Sequence, residues 1–261
     1  MSSPNRTQSA VSAPLLASAI ETFARGVAFT RSFTHPYLAE QVGPLWVMRD
    51  GPRRRGIYRN EEWIGYGVSP TEIDRIARSN TRGRYCICAL VELDGDDENM
   101  RAEFKALNYR LNNTEPLMVH NLQQIPRFEE PAAIERVTTQ EMADRLTKAT
   151  RKRQILPAHL VDDAPLRQYA ALLENELVGW VRSITTNTAA GDSTWCSDMY
   201  VKPEFRRRGI ARALMRCMLA DDRAYGAAQA VLLASHTGAK LYPVVGYAQI
   251  GTLYIYTPER K

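Results

Sequence analysis

The stretch "MYVKPEFRRRGIARALM", Met199 to Met215, runs from a strand through a charged turn into a helix. Its start completes "TWCSDMYV", which reads as a strand. Beyond the turn, Ile210, Ala211, Leu214, Met215 and Met218 fall on one helical face. Between the two lie Arg206, Arg207 and Arg208, followed by Gly209. A helix N-terminus carries unpaired amides and a partial positive charge, so it can receive a phosphate. Gly209 leaves room for a pyrophosphate to approach backbone, and the arginines add forked donors.

A near copy, "PRRRGIYR", occupies Pro52 to Arg59. Asp50-Gly51 before it is turn chemistry, and "YRNEEWIGYG" after it carries no helical apolar stripe. This copy lacks the strand-turn-helix context and reads as an exposed basic turn.

Arg206 to Ala211 fits the R/Q-x-x-G-x-G/A signature, and the stretch around it resembles a segment of the GNAT superfamily of acyl-CoA-dependent N-acetyltransferases. The resemblance is to that family's fourth strand, pyrophosphate loop and third helix. Downstream, "LLASHTGAKLYPVVGY" (Leu232 to Tyr247) is similar to its fifth strand and last helix. The resemblance covers residues 129–261 and implies an α/β (α+β) GNAT fold: a mixed, mostly antiparallel sheet with helices on both faces.

It also implies roles. Main-chain groups of Met199, Tyr200 and Val201 would hold pantetheine. Arg206, Arg207, Arg208, Gly209, Ile210, Ala211 and Arg212 would hold the pyrophosphate. Tyr242 aligns with the tyrosine that protonates the departing CoA thiolate in many members; the other reading is a tyrosine with its ring in the core. Many relatives take the amine proton with a strand glutamate, yet "AQAVLLAS" (Ala228 to Ser235) has no carboxylate. Asp198 is the first candidate base, its alternative being a strand-edge aspartate bonded to backbone. His236 and His159 are further candidates.

The first half carries a fainter echo. Setting "FKALNYRLNNTEPLMVH" beside "YPVVGYAQIGTLYIYT" puts Phe104 at Tyr242, Asn108 at Gly246 and Tyr109 at Tyr247. The half therefore resembles a degenerate second GNAT unit, as in tandem acetyltransferases. Phe104 has no hydroxyl to protonate sulfur. The expected organisation is a disordered tail at 1–15, a degenerate GNAT-like domain at 16–128 and a catalytic GNAT domain at 129–261. The boundary falls in "QQIPRFEEP", between two prolines.

Local signals add detail. Thr138 and Glu141 form a capping box ahead of a helix. Glu174-Asn175-Glu176 marks a hairpin turn, and two strands are expected around Asn112-Asn113.

Composition narrows the function classes. Of 261 residues, 44% are hydrophobic and 24% charged, ordinary for a soluble globular protein. No window approaches the ~18–20 apolar residues of a membrane span. The apolar run Ala10 to Ala28 is broken by Glu21 and Arg25 and reads as a helix entering the fold. Cys86 and Cys88 alternate onto one face of a strand and read as buried reduced thiols, so no metal is implied. A net charge of +5 is short of a dedicated nucleic-acid binder. The clusters Arg53–Arg55, Arg151–Arg153 and Arg206–Arg208 lack a recognition motif.

The expectation is a cytoplasmic enzyme with acetyl-CoA as co-substrate and a small-molecule or peptide amine as acceptor. Neither nucleic acid nor membrane is an expected partner. The alternative is a non-catalytic acyl-CoA-binding or regulatory protein of the same fold.

Overall fold

The computed structural model describes residues 12–259. The first eleven residues of the expected tail lie outside the described part. Pro14 stands in the first turn of helix α1 (Ala13–Arg31), where its missing N–H costs nothing. Strands β1 (Tyr37–Val42), β2 (Leu45–Asp50) and β3 (Glu61–Tyr66) follow. Ser69 then caps α2 (Pro70–Asn80) by accepting from the Glu72 N–H. Next are β4 (Tyr85–Glu92), α3 (Asp97–Ala106), capped by Asp96, and β5 (Tyr109–His120).

The second half runs β6 (Ala133–Arg136), α4 (Gln140–Thr150), β7 (Leu166–Leu173), β8 (Glu176–Thr188) and β9 (Gly191–Val201). It continues with α5 (Ile210–Ala224), β10 (Gln229–Leu233) and β11 (Ala248–Pro258), with two 3₁₀ turns between the last two strands. Among the described residues no helix is long and apolar enough to cross a membrane.

Two local expectations need correction. The N-cap of α4 is Thr139, which accepts from the Met142 N–H, because the helix starts one residue later than the Thr138 box implied. Asn112-Asn113 is not a turn: β5 is one strand, and Asn112 is the extra residue of a bulge opposite Ile255 and Tyr256. The hairpin at Glu174-Asn175 does form, with φ of 48° and 66° at those two residues.

The strands form one mixed sheet, ordered β1-β2-β3-β4-β11-β5-β10-β9-β8-β7-β6. Its halves repeat one topology. In each, a helix bridges a parallel pair: β3 and β4 through α2, β9 and β10 through α5. The closing strands are exchanged. β5 pairs with β10, β11 pairs with β4, and the two run antiparallel against each other. The suggested correspondence has a conformational counterpart: Asn108 (φ 61°) and Gly246 (φ 100°) are both left-handed. Phe104 meets Tyr109 edge-on at 5.7 Å between ring centroids, and Tyr242 meets Tyr247 at 5.8 Å.

Three apolar cores follow from this sheet. One face is covered along both halves by α1, through Leu16, Ile20, Phe23 and Ala24 against Ile64, Leu117, Trp195 and Leu253. Gly26 lets α1 cross over Trp195, since an added Cβ would overlap that ring. The other face is divided: α5 covers the second half, and α2 with α3 the first.

Candidate functional site

Strands β9 and β10 stay paired only from Ser193↔Gln229 to Trp195↔Val231. Beyond that they part, and β10 is flanked on its other side by β5, with Leu233 opposite Leu117. The inner edge of β9 from Cys196 to Val201 is left unpaired by β10. At Asp198 the strand bulges against β8: φ is 58°, and the register shifts between Trp180 and Arg182. Met199, Tyr200 and Val201 follow the bulge. Tyr200 stacks on Trp180 at 4.7 Å, and the Val201 carbonyl accepts from Arg206 Nε at 2.9 Å.

The arginine loop follows. Arg207 (φ 65°) and Gly209 (φ 88°) are both left-handed, and Gly209 is the N-cap of α5. Such alternation turns successive N–H groups inward, into a concave anion-binding nest. Among the described residues, none of the amides from Arg207 to Arg212 has an acceptor, and the next, Ala213 N–H, donates to the Gly209 carbonyl. The side chains of Arg206, Arg207, Arg208 and Arg212 are exposed, and Arg212 lies over the Phe128 ring at 5.3 Å. A backbone cradle with cations at its rim fits a pyrophosphate.

Tyr242 sits at the start of the second 3₁₀ turn, buried on the α5 face beside Val245, Tyr247 and Cys196. Burial first, then the nearby Cys196, pushes its phenol well above the usual range, so it stays protonated at neutral pH. Gly238 leaves it space, since an added Cβ there would stand 3.1 Å from the ring.

On the α1 face the parting strands open a cleft of about 340 Å³. Phe23, Val27, Trp195, Leu233, Leu253 and Ile255 give it apolar walls. Its charged lining is Arg31, Glu62, Glu115 and Asp198, with Cys86 and Cys88. Arg31 pairs with Glu62 at 2.8 Å. Asp198 is exposed and has no ion-pair partner among the described residues. His236 is exposed after β10, within electrostatic reach of Glu115. His159 is drawn away, packed on Phe29 and Phe33 at 5.3 and 5.6 Å. The site thus joins Asp198, the β9 edge, the arginine loop and Tyr242, leaves out His159, and adds Glu62 and Glu115.

The sequence model of the acetyltransferase (GNAT) family matches residues 123–249. The C-terminal half is a GNAT domain. Solved structures extend the likeness of fold over most of the chain. A GCN5-related N-acetyltransferase from Kribbella flavida has a TM-score of 0.61 at 14% identity, covering 94% of this chain and 96% of its own. One from Sphaerobacter thermophilus scores 0.51 at 18%, covering 95% and 93%. A GCN5-related N-acetyltransferase-like protein from Streptococcus suis scores 0.53 at 10%, covering 94% and 97%. No curated protein sequence matches.

Against the GNAT half, the first half is closed where the second is open. β3 and β4 stay in register from Glu61↔Tyr85 to Tyr66↔Leu90, leaving no gap like that of β9 and β10. Only Gly67, Val68 and Ser69 join β3 to α2, without an arginine among them. The near-copy "PRRRGIYR" precedes β3 instead of following it. Its Arg53 and Arg59 grip the buried Asp50 carboxylate at 2.9 and 2.5 Å, so only part of the cluster is free surface.

Proposed function

We propose that the protein transfers acetyl from acetyl-CoA to a primary amine. One observation carries the reading: the gap between β9 and β10 has a protonated, buried Tyr242 on one face of the sheet and a carboxylate-lined cleft on the other. Arg206 to Arg212 would receive the pyrophosphate through backbone amides and rim guanidinium groups. Main-chain groups of Met199, Tyr200 and Val201 along the β9 edge that β10 leaves free would align the pantetheine arm, leaving the thioester at the gap. Tyr242 O–H would protonate sulfur as the C–S bond breaks. An amine in the cleft would meet the carbonyl carbon from the opposite face, where Asp198 and its neighbouring carboxylates hold an ammonium. Positioning supplies much of the rate, because two reactants are held at one opening. The closed first half serves as the wall that completes the cleft.

Calorimetric titration with acetyl-CoA, and thiol release over a panel of primary amines, test this reading. Binding with amine-dependent release of CoA is expected. Absence of binding at high micromolar acetyl-CoA refutes it. Binding without release from any amine favours a regulatory acyl-CoA-binding protein.

A further inference from the structure

Three carboxylates face the cleft, and they are not equivalent. Glu62, on β3, is neutralised by Arg31 of α1 at 2.8 Å. Asp198 is exposed on the β9 bulge, within electrostatic reach of Arg182. Glu115 is half-buried, opposite Leu253 of β11, and two residues before Leu117, which pairs with the end of β10. The Ala234 N–H just beyond β10 donates to the Pro116 carbonyl at 2.9 Å, so β5 holds Glu115 just past the end of β10, on the open side of the gap that begins after Trp195↔Val231. Its one hydrogen bond among the described residues comes from Asn113 Nδ2, at 3.0 Å on Oε1.

We infer that Glu115, a residue of the first half, takes the proton from the acceptor, and that the acceptor is a primary ammonium on an uncharged, apolar stem. The inference rests on the acetyltransferase reading above. A base must be in reach of the reacting nitrogen and hold its proton loosely near the working pH. Glu115 lies at the mouth of the gap, on the face opposite Tyr242. Burial first, then Glu62, raises its carboxyl above the ordinary glutamate range, while Asn113 and His236 oppose the rise. The groups around it are Glu62 on β3, Arg31 on α1, Cys86 and Cys88 on β4, Asp198 on β9 and His236 after β10. With Arg31 committed to Glu62, Glu115 and Asp198 leave the cleft acidic, which favours a cation and repels a carboxylate. The apolar walls suit a stem without charge.

The ammonium gives one proton to Glu115, which passes it to solvent. The free amine forms the C–N bond, the C–S bond breaks, and Tyr242 protonates sulfur. Nitrogen then loses its second proton, which restores the Tyr242 hydroxyl through solvent.

The test compares wild type with Glu115→Gln and Asp198→Asn, using phenethylamine, hexylamine and phenylalanine as acceptors. Glu115→Gln is expected to lower kcat/KM about 100-fold or more, within the range for a lost general base. Its acetyl-CoA affinity by calorimetry should match wild type. The acid limb of the kcat/KM pH profile should vanish, while Asp198→Asn keeps that limb. Carboxyl ¹³C NMR of the free protein should place the Glu115 titration above that of exposed glutamates. Phenethylamine and hexylamine should exceed phenylalanine at least 10-fold. A wild type that turns over amines, with Glu115→Gln retaining its rate and acid limb, overturns this inference and leaves the acetyltransferase reading intact. Equal use of phenylalanine overturns the assigned acceptor class. A wild type that releases CoA with no amine overturns the acetyltransferase reading itself.

Discussion

Asp222 lies on the buried face of α5, and replacing it by Asn tests how the GNAT half is held together. Its carboxylate is fully buried and meets Arg167, 2% exposed, at 2.7 Å. It also accepts from Ser183 Oγ at 2.6 Å and Thr194 Oγ1 at 2.9 Å. One side chain on α5 thereby ties down β7, β8 and β9, the last being the strand that parts from β10. Asn keeps the shape and an acceptor oxygen but removes the charge, leaving the buried Arg167 guanidinium without a counter-ion, between Thr185 Oγ1 and the Tyr225 ring. Breaking a buried pair from one side costs about 3–5 kcal/mol. At about 2–4 °C per kcal/mol for a chain of this size, Tm should fall by roughly 6–20 °C. Urea unfolding followed by circular dichroism, alongside calorimetric melting, measures the change. Removing both charges, as Arg167→Met with Asp222→Leu, should recover part of the loss, since no orphan ion is left, while the buried Ser183 and Thr194 hydroxyls lose their acceptor. A single-variant loss under about 1 kcal/mol, or a double variant worse than the single one, would refute the reasoning.

Other expectations are independent of that network. On the proposed reading, Tyr242→Phe should leave acetyl-CoA affinity unchanged in calorimetry while cutting kcat about 10²-fold or more, because the ring's packing survives and only the proposed acid is lost. Gly246→Ala should destabilise by about 2 kcal/mol or more in urea, combining a left-handed backbone strain with overlap on His120; its φ is 100°, and an added Cβ would stand 2.5 Å from His120 Nε2. Asp50 tests pH dependence. Burial opposes its ionisation, but the Arg59 N–H and the Arg59 and Arg53 guanidinium groups outweigh it and hold the carboxyl below the usual range. A depressed acid contributes stability above its unfolded pKa of about 3.9 and loses it as pH falls through the folded value. The stability gap between wild type and Asp50→Asn should therefore be full at pH 6 and shrink below about pH 4 in a series of urea melts.

Much of the GNAT half was legible from local pattern. The strand, arginine loop and helix from Met199 to Met215 are contiguous, and so are the apolar spacings that bury Ile210, Leu214, Met215 and Met218. Asp222 was invisible by the same logic: it occupies a buried helical position, but its partners Arg167, Ser183 and Thr194 belong to three strands. Asn112 misled because asparagine suits a turn and a bulge alike, and only the pairing of β5 with β11 distinguishes them. The first half was legible as a repeat through Phe104, Asn108 and Tyr109. Its closure was not, because register between β3 and β4 is a relation between strands.

By itself the sequence determined the arginine loop and the helix behind it, the part to which the proposed reading gives the cofactor. An amide cradle is built from neighbouring residues, so its glycine, its arginines and the helix behind it must stand together in the chain. The carboxylate-lined cleft was decided only by tertiary structure. Glu62, Glu115 and Asp198 lie on strands far apart in sequence, and they meet because β5 and β11 exchange places between the halves while α1 roofs the result. No local spacing encodes that exchange. It follows from which sheet edges pair and which apolar faces must be buried at the same time.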